Sequence, residues 1–160
     1  MNNNDNPNSL IYRQIIVSHY KNPLNYLFLT KDKSVLNDFL HLYYNSDFCI
    51  DEITVFLKLD ETKTKIIDAK FTGKACAICT ASTDICAEML KNKPVKYAIN
   101  LINQYFQMIK HEHYNEKEMD ELIAFENIYL QPSRVNCATL GPNLFLQLLN
   151  KHSKKNESSD

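Results

Sequence analysis

Glycine is nearly missing from this chain, with two residues in 160. Turns must therefore fall to Asn and Asp, which tolerate left-handed backbone where Gly would usually serve. A bias of charge is missing too: 18 Lys and Arg face 19 Asp and Glu, for a net charge of -1. That excludes a bulk basic field drawing the chain to nucleic acid or an anionic membrane, and the charges are interspersed rather than blocked. Partners must be recognised by local surface. No apolar run approaches the roughly 20 residues of a membrane span. Met1 to Ser9 is mostly Asn and holds no apolar segment of the secretory kind. The expectation is a cytoplasmic chain that engages neither nucleic acid nor membrane. In a reducing compartment the five cysteines are not a disulfide framework, and their number is odd. Metal binding or thiol chemistry is the better reading.

What is present suffices for one domain. A chain of this length, 44% hydrophobic, buries roughly 70% of its extended-chain surface. Residues 1–9 read as a disordered tail, 10–150 as the domain and 151–160 as a polar tail. Ser9 is placed to cap a helix from Leu10 to Tyr20, which Asn22-Pro23 ends. Leu24 to Ser34 is a connection with some extended structure. Phe39 to Tyr44 predicts a strand. Ile53, Val55, Leu57 and Leu59 alternate with Thr54, Phe56 and Lys58 and predict a second over Glu52 to Leu59. Thr64 to Phe71 is its hairpin partner, with Ile67, Ala69 and Phe71 on one face. From Ala77 the period becomes helical. Helices are predicted over Ala77–Lys91 and Pro94–His111, the latter with a buried stripe of Ile99, Ile102, Phe106 and Ile109. A short helix capped by Asn115 follows, then a loop at Gln131-Pro132. The last helix is predicted over Thr139–Asn150, with Pro142 in its first turn. Strands followed by helices give an α+β fold, a three-stranded antiparallel meander packed against helices.

Three cysteines fall at the ends of these predicted elements. Cys49 follows the first strand, with Asp51 two positions on. Cys76 opens a helix, and Cys137 immediately precedes the last one. A helix N-terminus carries partial positive charge and favours thiolate, the form that binds metal and attacks electrophiles. Three thiolates and a carboxylate around Zn²⁺ would make a sulfur-rich tetrahedral site. Such a set carries four negative charges against two positive, and Arg134, three residues before Cys137, is the neighbouring cation. Spacing alone leaves open both a metal site and inert buried thiols.

Taken in chain order, four segments resemble the SufU-type iron–sulfur cluster assembly proteins, relatives of the IscU and NifU amino-terminal scaffolds. They are Tyr12-Arg13-Gln14-Ile15-Ile16 with His19-Tyr20-Lys21-Asn22-Pro23 and Asn25; Cys49-Ile50-Asp51; Asp68-Ala69-Lys70-Phe71, Gly73 and Cys76 with Ala81-Ser82; and Arg134-Val135-Asn136-Cys137-Ala138-Thr139-Leu140. The resemblance runs from about residue 10 to 150. Asn136, where IscU-type scaffolds have His, and the extra segment His111 to Tyr129 place the chain on the SufU side. The resemblance implies zinc held by Cys49, Asp51, Cys76 and Cys137, with iron or a [2Fe–2S] cluster at the same residues as the alternative.

It further implies a zinc-dependent sulfurtransferase whose acceptor, Cys49, takes persulfide sulfur from a pyridoxal-phosphate-dependent cysteine desulfurase of the SufS type. Cys49 would be released when a desulfurase His takes its place on zinc, with Asp51 as the exchangeable oxygen ligand and Arg134 competing for its carboxylate. The competing readings are a scaffold that assembles a [2Fe–2S] cluster for apo-proteins and a structural zinc module that binds the desulfurase. The chain departs from the family pattern at Ile50, where Gly is usual, at Leu24, where a basic residue is usual, and in its additional Cys79 and Cys86. Cys79 and Cys86 read as small buried helix residues. His111 and His113 read as a solvated helix end, His19 as structural or partner-facing, and Tyr43-Tyr44 and Tyr105-Phe106 as strand and core packing.

Overall fold

The alternating run of Ile53, Val55 and Leu57 sets the centre of the fold. In the computed structural model, which describes residues 6–28, 33–47 and 50–157, these side chains lie on the middle strand of a three-stranded antiparallel sheet and are fully buried. Strand β1 is Leu40–Asn45, β2 is Glu52–Leu59 and β3 is Ile66–Lys74. Each pairs with its neighbour in sequence, so the sheet is the expected meander. Most of the tail predicted over 1–9 lies outside the described residues, as does part of the 24–34 connection. The described part of that connection is extended: Tyr26 bridges to Phe71 along the outer edge of β3.

The two-residue period is interrupted in β3. Ile66 is buried and Ile67 is exposed, not the reverse. Lys58 pairs with Asp68 but Leu59 pairs with Ile66, so Ile67 is the extra residue of a bulge. A one-residue slip sends a strand side chain to the opposite face. Tyr43 and Tyr44 are likewise more exposed than strand packing required.

Four α-helices cover the sheet and one another: α1 is Ser9–Lys21, α2 is Ala77–Leu90, α3 is Val95–Ile109 and α4 is Pro132–Glu157. Helix α2 is the most enclosed, packing on α1, α4 and β3. Its Cys79, Ala81, Cys86 and Ala87 are small enough to let those elements approach. In α3 the buried face centres on Leu101, Tyr105 and Met108. Ile102 and Ile109 join it, while Ile99 and Phe106 are only partly covered. Left-handed turn positions fall, as glycine scarcity demanded, on Asn92 and Asp120, and also on Lys63 and His111. Asn115 accepts from the Lys117 N–H as predicted, but the helix it caps is a 3₁₀ turn, Glu116–Glu118, followed by another, Asp120–Phe125. Among the described residues no helix is long and apolar enough to cross a membrane.

Helix α4 corrects the sequence reading at both ends. It begins at Pro132, where a loop was predicted, because proline lacks only an N–H that the first helical turn leaves unpaired anyway. It continues to Glu157, through most of the stretch read as a polar tail, and buries His152.

Charged groups pin α1 in place. Asp84, fully buried on α2, accepts from the backbone N–H groups of Leu24 and Asn25 and lies 2.6 Å from Nδ1 of His19. Nε2 of His19 lies 2.5 Å from Glu121, on the 3₁₀ turn over Asp120–Phe125. With a carboxylate at each ring nitrogen, His19 is held as the doubly protonated imidazolium. Burial opposes that charge, but the bonds to Asp84 and Glu121 outweigh it and raise the His19 pKa above its usual 6.5. A raised folded pKa gives stability that is complete below the unfolded value and lost as pH rises through the folded one. His19→Asn is therefore expected to lower stability by about 2 kcal/mol at pH 6. The gap in thermal midpoint between wild type and variant should narrow as pH is raised above 6.5. A constant gap across the alkaline side would remove the imidazolium from the account.

Candidate metal centre

Asp51, Cys76 and Cys137 are 25 and 61 residues apart along the chain, yet their ligand atoms all lie within 4.8 Å of one another. Among the described residues no other three His, Cys, Asp or Glu side chains form such a group. Asp51 stands at the foot of β2, where its C=O accepts from the Ser46 N–H and closes the neck of the β1–β2 connection. Cys76 follows β3 and is the N-cap of α2. Gly73 makes this junction possible. It sits opposite Ile53 at φ +123°, where a Cβ would lie 2.0 Å from the Glu52 carbonyl oxygen. Tyr26 bonds its backbone through the phenol oxygen, donating to the Gly73 C=O and accepting from the Gly73 N–H.

The three side chains are oriented before any ion arrives. Asp51 is 1% exposed, and its Oδ1 accepts from the Cys76 N–H at 2.8 Å. Oδ2 is left facing the Cys76 sulfur at 3.9 Å. That sulfur accepts from the Cys79 N–H at 3.4 Å, as an N-cap side chain does. The helix-terminus argument therefore holds for Cys76. It fails for Cys137, which lies in the second turn of α4 because that helix starts at Pro132. The positive end of the helix has been passed by then. Burial, a hydrogen bond to Cys76 and the charges of Cys76 and Asp51 push the Cys137 thiol up to about 12.

This donor set fits zinc. Tetrahedral Zn²⁺ with a Zn–S bond of about 2.3 Å and a Zn–O bond of about 2.0–2.2 Å sets sulfur and oxygen roughly 3.6 Å apart, near the Asp51–Cys76 separation of 3.9 Å. A buried carboxylate with one oxygen fixed by a backbone donor, facing two crowded thiols, is compensated by a cation and by little else. Cys49, the remaining predicted ligand, lies outside the described residues. Ile50 beside it is 76% exposed, so the bulk that replaces glycine projects into solvent. Arg134 is exposed on the first turn of α4, and among the described residues no carboxylate pairs with it. Cys79 and Cys86 are buried core residues, and burial raises both thiols well above the usual range. His111 stacks on Tyr129 at an exposed helix end.

Sequence reasoning missed two buried polar contacts that tie the helices together, those of Asp84 and Tyr105. Asp84 had a visible signal, as the one charge within the small and apolar run Ala77–Ala87. Tyr105 had none, because its partner is a backbone carbonyl.

Comparison with known proteins identifies the family. The family model described as the NifU-like N terminal domain matches residues 11–158. The chain is 33% identical over 131 residues to the "Zinc-dependent sulfurtransferase SufU" of Bacillus subtilis, covering 81% of this chain and 83% of that protein. It is 31% identical over 106 residues to the "Iron-sulfur cluster assembly scaffold protein IscU" of Thermotoga maritima, covering 66% of this chain and 73% of that one. Among solved structures, a putative iron–sulfur cluster assembly scaffold for the SUF system from Fervidobacterium islandicum superposes with a TM-score of 0.72 at 25% identity, covering 87% of this chain and 96% of that one. A family match over nearly the whole chain, on a fold that brings an aspartate and two cysteines together, makes this protein a member of the NifU-like N-terminal domain family.

Proposed function

We propose that the chain serves iron–sulfur cluster assembly as a zinc-dependent sulfurtransferase that takes persulfide sulfur from a cysteine desulfurase of the SufS type. The observation that carries this reading is the buried Asp51 carboxylate packed against the thiols of Cys76 and Cys137. Its likeness to the B. subtilis sulfurtransferase supports it.

Asp51, Cys76 and Cys137 would hold the zinc, with Cys49 as fourth ligand. Two residues of chain span at most about 7 Å, which keeps Cys49 near Asp51. Bound there, zinc would keep its sulfur ligands deprotonated at neutral pH. Cys49 is the acceptor. Its thiolate attacks the outer sulfur of the desulfurase persulfide, a new S–S bond forms on Cys49, and the donor's S–S bond breaks. The desulfurase cysteine leaves as thiolate, so no outside oxidant or reductant is needed. Asp51 would be the more exchangeable ligand, since oxygen binds zinc less firmly than thiolate. Arg134, exposed on the first turn of α4, offsets the negative charge that gathers when a second anionic sulfur approaches.

Asp51→Ala separates holding metal from moving sulfur. The three thiolates should retain zinc with water as fourth ligand, while stimulation of desulfurase turnover should fall at least tenfold. Zinc content and cysteine-dependent alanine release measure the two. Undiminished stimulation would take Asp51 out of the mechanism. Likeness to the T. maritima scaffold supplies the competing reading. A [2Fe–2S] cluster reconstituted on this chain and passed intact to an apo-protein would favour it.

A further inference from the structure

Helix α4 carries Cys137, and five residues later it carries a proline. In an α-helix the N–H of residue 142 would donate to the C=O of residue 138. Pro142 has no N–H, and its ring crowds the carbonyl four residues back. The Ala138 carbonyl, adjoining Cys137, is thereby deprived of its helical donor. Ala138 is fully buried, so water does not replace it. A buried carbonyl without a donor is costly, and proteins rarely leave one.

The missing donor comes from another helix. Tyr105, on α3 and fully buried, donates its phenol O–H to the Ala138 carbonyl at 2.8 Å. Burial first, and then the neighbouring thiols Cys86 and Cys79, raise the Tyr105 pKa well above 10.0, so the phenol remains a donor. One turn further on, Gly141 meets α2. A Cβ there would lie 1.9 Å from Thr83 Oγ1, and that hydroxyl is itself engaged in donating to the Cys79 C=O. The same stretch of α4 is therefore tied to α3 by Tyr105 and pressed against α2, whose N-cap is Cys76.

We infer that Tyr105 is a positioning residue for the metal centre: its phenol fills the hydrogen-bond position that Pro142 vacates and so fixes the turn of α4 from which Cys137 reaches Cys76 and Asp51. The inference rests on reading those three residues as metal ligands. Tyr105 touches no metal; it acts through the Ala138 carbonyl. A ligand freed by a fraction of an ångström costs affinity, and loss of such supporting bonds typically weakens metal binding about 10- to 100-fold.

A mutant cycle on the full chain tests this. The variants are Tyr105→Phe, Pro142→Ala and the double variant. Pro142→Ala restores the N–H, so the Ala138 carbonyl no longer depends on the phenol. Zinc affinity is read by competition with a chelator, and ligand geometry by the absorption bands of the Co²⁺-substituted protein. Tyr105→Phe is expected to bind zinc at least tenfold more weakly and to shift the cobalt bands, with helix content unchanged. Adding Pro142→Ala should recover most of the affinity and the wild-type bands. If Tyr105→Phe does not fold, recovery of folding in the double variant supports the inference. Failure to recover overturns it. Wild-type affinity and bands in Tyr105→Phe, or an equal loss with and without Pro142→Ala, would also overturn it. A wild-type chain that takes up neither zinc nor cobalt would overturn the metal reading itself and the inference with it, a result distinct from those.

Discussion

Cys76→Ala and Cys137→Ala are each expected to yield protein without zinc and with a thermal midpoint lowered by about 10 °C. The size follows from linkage. A ligand present at a thousand times its Kd stabilises the folded state by about 4 kcal/mol, and at this chain length each kcal/mol is worth about 2–4 °C. The two residues also hold one another. Without the Cys76 sulfur the Cys79 N–H at the head of α2 loses its cap, and Asp51 loses a thiol neighbour. Without Cys137 the buried Asp51 carboxylate keeps the Cys76 N–H but has no ion to neutralise it. Cys86→Ala is the control. It removes a sulfur from the core that belongs to no ligand group, so it should lose a little stability and keep its zinc. Metal analysis and melting curves with and without added zinc check all three. Zinc retained at one per chain in Cys137→Ala would dismantle the assignment of that residue.

The same geometry shows what a sequence can and cannot disclose. Strand β2 and helices α2 and α3 were legible because each has one face buried by a common core, and a period of 2 or 3.6 is the direct trace of that. Ile67 was misplaced because a bulge depends on how two strands pair, which neither strand records alone. The start of α4 was missed because Gln131-Pro132 reads as well for a loop as for a first helical turn. That error moved Cys137 from a helix terminus into a second turn. It has no bearing on the proposed ligand set, which comes from resemblance and not from the dipole. The supports were least legible. Asp84 with His19, and Tyr105 with Ala138, join residues 65 and 33 positions apart. In the second pair the reason lies in Pro142, which belongs to neither residue.

Cys49→Ser is expected to abolish acceptance of sulfur while leaving the fold intact. Asp51, Cys76 and Cys137 remain to hold zinc, with the serine hydroxyl or water completing the shell. A hydroxyl cannot form the S–S bond that transfer requires, so the loss is one of chemistry and should be complete within detection. The measurement is mass spectrometry after incubation with cysteine, pyridoxal phosphate and the cognate desulfurase. Wild type should gain a sulfur adduct of about 32 Da that maps to Cys49, the proposed acceptor. Cys79 is the obvious rival, three residues from Cys76. It has no exposed surface, and burial, followed by the charges of Asp51 and Cys76, opposes its ionisation. A neutral, enclosed thiol is a poor nucleophile. Cys79→Ser and Cys86→Ser should therefore accept sulfur as wild type does. An adduct that survives in Cys49→Ser and maps to Cys79 would move the acceptor into the core and reverse this argument.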